Sequence, residues 1–139
     1  MKMRKTYLRC LVFIVLSTFI LTLPAYASES PKPFWSYMIA MSGRMSVNSF
    51  GLATITAECR ADALTVDKVN LKCELQQLDG TWKTIKTWAE TDNSNAALFS
   101  KNYAIYKNYS YRLKITSSAY SKNTLLESVS EYFDYGYYQ

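Results

Sequence analysis

The residues best suited to chemistry in this chain are two cysteines, Cys59 and Cys73. The third cysteine, Cys10, lies inside a segment that is predicted to be an export signal and to be removed. Two cysteines in an exported protein usually form one disulfide, and closing a loop of about 15 residues is worth roughly 3 kcal/mol in the chain-entropy model. We therefore predict a Cys59–Cys73 disulfide. The alternative is two free buried thiols that pack as small apolar side chains.

Catalytic and metal-binding patterns are missing from the sequence. The chain has no histidine and four glycines, so it lacks the usual Ser–His and Cys–His pairs and any phosphate-binding glycine motif. Without histidine, and with two thiols after export, the usual zinc ligand sets are excluded. The carboxylates fall mostly on outward strand faces or in turns, which favours solvated charge over a glycosidase-like pair. The sequence predicts a protein that is not an enzyme and has no metal or cofactor.

Aromatic side chains are the other group with a chemical use. Tyr and Trp rings offer flat amphipathic contacts to sugars and to proteins, and rings on edge strands or chain ends have the fewest neighbours to cover them. Core positions are expected for Trp35, Tyr37, Tyr109 and Tyr111. The candidate ligand-binding residues are Trp82, Trp88, Tyr135, Tyr137 and Tyr138.

The first 27 residues have the pattern of a signal peptide. Basic residues Lys2, Arg4, Lys5 and Arg9 precede an apolar run, and Ala25-Tyr26-Ala27 matches the small-x-small cleavage pattern. An apolar run of about 13 residues is shorter than the roughly 20 that a spanning helix needs. We predict cleavage after Ala27, secretion from the cell, and no stable membrane span after cleavage.

Removal of the signal changes the charge balance. Four of the 16 Lys and Arg residues leave with it and all 11 Asp and Glu residues remain, so residues 28–139 carry a net charge of +1. Nucleic acids and anionic membranes are bound by clustered cations that neutralise many phosphates. Nucleic acid is therefore not an expected partner.

Alternating apolar and polar residues place the candidate residues on strands. The clearest segments, 52–61 and 66–78, carry Cys59 and Cys73 on their apolar faces. Asp79-Gly80 predicts a tight turn into a strand on which Trp82 and Trp88 share one face. Further strands are expected at 35–47, 98–105, 109–117 and 125–133, followed by an aromatic tail.

About seven strands, with no sustained 3.6-residue period, predict an all-β chain. The expected fold is a single immunoglobulin-like two-sheet sandwich of about seven antiparallel strands, with a closed barrel as the alternative. Tyr109 and Tyr111 also suit a tyrosine corner, in which a hydroxyl bonds the upstream backbone. The predicted organisation is a signal peptide at 1–27, an extended leader at 28–34 and the sandwich domain at 35–139.

The chain resembles uncharacterised small secreted immunoglobulin-like β-sandwich proteins of Gram-positive bacteria. The resemblance rests on Leu75-Gln76-Gln77, Gly80, Trp82, Lys86 and Trp88, followed by Tyr109-x-Tyr111-Arg112 and Glu127. It implies a signal peptide, one such domain and no assigned activity. The expected function is a secreted, non-enzymatic interaction or binding domain for a protein or a cell-surface glycan, and the alternative is a secreted bacteriocin-like toxin or effector.

Overall fold

The period-two alternation produces seven strands over residues 34–139, the part of the chain that the computed structural model describes. The predicted signal peptide and residues 28–33 of the predicted leader lie outside it. The strands are β1 (Met38–Val47), β2 (Leu52–Ala61), β3 (Lys68–Asp79), β4 (Thr81–Asp92), β5 (Ala96–Ala104), β6 (Tyr109–Ser121) and β7 (Thr124–Tyr138).

The strands form two antiparallel sheets. The three-stranded sheet has the order β1-β2-β5, and the four-stranded sheet has the order β4-β3-β6-β7. This confirms the all-β, two-sheet sandwich that the alternation predicts. In constant-type immunoglobulin domains the fourth strand lies on the sheet of the first two strands, whereas here β4 pairs with β3. No helix within residues 34–139 is long and apolar enough to cross a membrane.

The core lies between the inward faces of the two sheets. Tyr111 is its largest fully buried side chain. The Tyr111 hydroxyl donates to the Tyr106 carbonyl at 2.8 Å and accepts from the Tyr106 N–H at 3.1 Å. These two bonds fasten the turn between β5 and β6, and they confirm the predicted tyrosine corner.

The sheets approach closely where β1 crosses β6 and β7. A Cβ atom at Gly43 would lie 2.5 Å from Ile115 Cδ1 and 2.9 Å from Phe133 Cδ2. A side chain at this position would require Ile115 and the Phe133 ring to shift, so glycine permits the close packing of β1 on β6 and β7.

Cys59 and Cys73 are both buried and both free. The predicted disulfide between them is not present in the structure. The thiols belong to strands of opposite sheets, β2 and β3, and Ser117 lies near the Cys59 thiol.

The strand register places the two thiols at different levels of the sandwich. Ser117, beside Cys59, pairs with Leu71, whereas Cys73 pairs with Ile115. Cys59 therefore lies over a level of β3 that is displaced from Cys73 by about two residues, or roughly 7 Å. The two Cα atoms of a disulfide usually lie within about 7 Å of each other. The spacing between the two sheets adds to the displacement along the strands, so the Cα atoms of Cys59 and Cys73 lie further apart than this displacement alone.

The glutamate at position 127 anchors the chain where it enters β1. Its carboxylate accepts backbone N–H groups from Ser36 at 2.8 Å, Tyr37 at 2.8 Å and Met38 at 2.7 Å. Burial raises the pKa of Glu127, but the three N–H donors together lower it by more than burial raises it. The net pKa therefore lies below its usual value of 4.5. The carboxylate thus ties the start of β1 to the edge of β7.

We expect both thiols to be unreactive in the folded protein and reactive after unfolding. Burial raises the pKa of Cys59, and it raises that of Cys73 to about 12, so almost no thiolate forms at pH 8. Mass spectrometry after iodoacetamide treatment, without reductant, should show no modification of native protein and two modifications in denaturant. A protein mass lower by two hydrogens, together with no alkylation in denaturant, would establish a disulfide instead.

We expect Glu127→Gln to reduce stability by about 1 to 3 kcal/mol at pH 7, because hydrogen bonds to a charged group are lost. A carboxylate with a lowered folded pKa stabilises the protein above its unfolded pKa, and the contribution disappears as pH falls through the folded pKa. Thermal unfolding from pH 7 to pH 3 should therefore show a shallower acid dependence in the variant. Glu90→Gln, on exposed β4, is the control. Equal acid dependence in Glu127→Gln and the native chain would contradict this role.

Candidate ligand-binding face

The outer side of the four-stranded sheet brings together side chains that are far apart in the sequence. Leu78 pairs with Trp82 on β4 and with Ser110 on β6, and Ser110 pairs with Tyr137 on β7. Trp82 and Tyr137 therefore lie in one row across all four strands. Three strand spacings separate them, a distance of about 14 Å.

The next rows toward the middle of the sheet carry polar and charged groups. Arg112 pairs with Gln76 and Asp134, and Gln76 pairs with Thr84. Tyr132 lies one row further along β7. We call the set Trp82, Leu78, Tyr137, Tyr132 and Arg112 the outer aromatic face.

The guanidinium of Arg112 lies between two rings of this face. Its Cζ atom is 4.1 Å from the Trp82 ring centroid and 4.2 Å from the Tyr132 ring centroid. Its Nε donates to Gln76 Oε1 at 2.8 Å, and Gln76 Nε2 donates to Thr84 Oγ1 at 3.3 Å. Two cation–π contacts and a buried amide thus fix the orientation of one half-buried cation.

The outer aromatic face remains accessible. Leu78 is 38% exposed, Tyr132 52% and Tyr137 56%. The Tyr137 hydroxyl donates to Asn108 Oδ1 at 3.4 Å, which is its one hydrogen bond within residues 34–139. Its ring is therefore held at one end while its surface stays open to solvent.

The prediction that Trp82 and Trp88 share one face is wrong. Leu75 pairs with Lys86 and Gln76 pairs with Thr84, so Ile85 is an extra residue on β4. An inserted residue in a strand reverses which face the following side chains occupy. Beyond this bulge, Trp88 pairs with Cys73 and packs against the core.

Trp88 makes its aromatic contact on the core side. Its ring meets that of Tyr103 on β5 edge to face, with the centroids 6.1 Å apart. The contact joins the two sheets along one edge of the sandwich. The structure therefore gives Trp88 a packing role.

The aromatic tail predicted after Phe133 is the end of β7. Tyr138 pairs with Tyr109 and packs against the core, with Lys107 Nζ 5.8 Å from its ring centroid. Tyr135 is an extra residue between Asp134 and Gly136, and it lies where β7 passes β1. Of the five candidate residues, the structure thus brings Trp82 and Tyr137 onto one face, turns Trp88 and Tyr138 toward the core, and leaves Tyr135 at the edge.

Three members of the face are not among the five candidate residues: Leu78, Arg112 and Tyr132. For Tyr132 the sequence leaves a core role and a ligand role about equally open. Alternation along β6 and β7 places Arg112 and Tyr132 on outward positions, which is a usable signal. The order of the strands is the missing information, because only the pairing of β6 with β3 and β7 carries Arg112 to the two rings.

Neither a metal site nor a related protein indicates what the outer aromatic face binds. Within residues 34–139, no three carboxylates or thiols lie close enough together to hold a metal ion. A comparison with protein-family models gives no match, and a comparison with curated protein sequences gives no significant match. The residues of the face are therefore the basis for a functional proposal.

Trp82 and Trp88 should differ in their effect on stability. We expect Trp88→Ala to lower the free energy of unfolding by about 3 kcal/mol, because it removes a ring packed against the core. Trp82→Ala removes an outward ring and one cation–π contact, so we expect a loss of about 1 kcal/mol. Urea denaturation of the two variants tests the assignment. Equal losses would contradict the placement of the two rings on opposite sides of the sheet.

Proposed function

We propose that this protein is a secreted, non-enzymatic binding domain that holds a protein or a cell-surface glycan on its outer aromatic face. The observation that carries the proposal is the outward row of half-buried Trp82 and exposed Leu78 and Tyr137, with Tyr132 and Arg112 beside it. Export is the expectation from the signal-peptide pattern of residues 1–27.

Exposed aromatic residues next to an arginine are typical of contact surfaces. Tyr, Trp and Arg are the residue types most enriched among those that dominate binding energy. The large rigid surfaces of Tyr and Trp lose little conformational freedom when a partner covers them. The Arg112 guanidinium is already ordered before a partner binds, because the Trp82 and Tyr132 rings and Gln76 hold it in place. A pre-ordered surface reduces the entropy that binding must overcome.

The structure offers few groups for a catalytic alternative. Both thiols are buried with raised pKa values, which leaves them unreactive at neutral pH. The Glu127 carboxylate is occupied by three backbone donors. These three groups are therefore poorly suited to act as nucleophiles or acid–base catalysts.

The proposal is tested with protein purified from the culture medium of an expressing host. We expect the native chain to be retained on intact bacterial cells or by a component of the medium. Trp82→Ala, Tyr132→Ala and Tyr137→Ala should each weaken retention at least about fivefold, as expected for residues of a binding hot spot. The matched control is Tyr106→Ala, which removes an exposed ring from the turn between β5 and β6.

Three outcomes would contradict the proposal. The first is no retention above that of an unrelated sandwich domain. The second is retention that Tyr106→Ala weakens as much as the face variants do. The third is growth inhibition of the cells that is unchanged in all face variants, which would favour a toxin acting through another surface.

A further inference from the structure

We propose that Arg112 binds the carboxylate of an acidic polysaccharide lying across the outer aromatic face. This inference rests on the proposed binding function and specifies its ligand. Within residues 34–139, the two terminal amino groups of Arg112 make no hydrogen bond and no ion pair. Only its Nε is used, by Gln76.

A guanidinium in this position is prepared for a planar anion. Arginine presents parallel N–H donors that match the two oxygens of a carboxylate, and such bidentate pairs are among the strongest hydrogen bonds in proteins. The Trp82 and Tyr132 rings limit rotation of the Arg112 plane, and Gln76 fixes one edge of it. The terminal amino groups are the part left for a ligand.

The charges on the surrounding face favour an anionic ligand. Lys72 Nζ lies 3.3 Å from Glu74 Oε1, and Lys114 Nζ lies 3.9 Å from Glu74 Oε2. Two lysines thus compensate one glutamate. Asp134 is the strand partner of Arg112, yet it forms no ion pair with it. The guanidinium therefore lacks a fixed counter-charge, although a carboxylate on the next strand will reduce its affinity for anions.

The backbone pairing and the side chains of the face favour a polysaccharide over a peptide. Extended peptides usually bind a sheet by adding a strand to an edge, where backbone groups are unpaired. The backbone of β3 and β6, in the middle of this face, is paired on both sides, and only the outer edges of β4 and β7 are open. What the face presents is rings and hydroxyls from Trp82, Tyr137 and Thr84. Rings provide apolar contact and polar groups provide hydrogen bonds, which together suit the two kinds of surface that a sugar ring has.

The test measures binding of the exported protein to polygalacturonate by isothermal titration calorimetry. Methyl-esterified polygalacturonate has the same backbone without the charge, and poly-glutamate carries the same carboxylates on a peptide. We expect binding to polygalacturonate that weakens with salt, at least about tenfold weaker binding to the ester, and at least about tenfold weaker binding to poly-glutamate.

Variants at two positions separate a binding role from a structural one. Arg112→Gln should weaken polygalacturonate binding at least about tenfold, and Arg112→Lys about three- to tenfold, because lysine keeps the charge but not the paired donors. Asp134→Asn should strengthen binding about two- to threefold, because it removes a like charge. Thermal unfolding of each variant, together with the Lys101→Gln control on β5, shows whether the fold is intact.

The outcomes are decisive for both proposals. Equal binding to polygalacturonate and its ester, tighter binding to poly-glutamate, or weaker binding by Asp134→Asn would each overturn the carboxylate–polysaccharide inference. Retention on cells that depends on Trp82 and Tyr132, without any polygalacturonate binding, would overturn this inference and leave the proposed function standing. If Arg112→Gln unfolds, the result with the folded Arg112→Lys or Asp134→Asn variant decides.

Discussion

The division of each strand into one buried and one exposed side governs this protein. Every functional assignment follows from which side a residue occupies, and the side reverses wherever one strand gains a residue that its partner lacks. Ile85 and Tyr135 are two such extra residues, on the outermost strands of the larger sheet. The first sends Trp82 outward and Trp88 inward. The second lets Tyr137 face outward while Tyr138 packs on the core, so both outermost strands contribute to a single surface.

Regular alternation made most of the fold predictable. The predicted strand at 52–61 agrees with the observed one at both ends, and the Asp79-Gly80 turn occurs where expected. Tyr111 could be identified as a corner residue because its position near the start of a strand defines the motif. The placement of Trp88 could not be predicted, because nothing around Ile85 in the sequence signals an extra residue. The pairing of β4 with β3, and hence the convergence of Trp82, Arg112 and Tyr132, depends on strand order, which alternation does not encode.

Packing and hydrogen bonds hold the two sheets together in place of a covalent bridge. At one end of the sandwich, the Tyr111 hydroxyl fixes the turn before its own strand. At the other end, Glu127 fixes the start of β1. Between them, Gly43 permits the close contact of β1 with Ile115 and Phe133. The register that places Cys59 near Ser117 and Cys73 opposite Ile115 belongs to this packing.

The position of Arg112 also has a mechanical consequence. Arg112 belongs to β6. Its guanidinium donates a hydrogen bond to Gln76 of β3 and contacts rings of β4 and β7. A ligand bound there, as we propose, would be connected to all four strands of the sheet at once. Under the proposed binding function, a pull on that ligand reaches β6 through its backbone and the other three strands through the contacts of Arg112 with Gln76, Trp82 and Tyr132. The load is therefore shared by several strands.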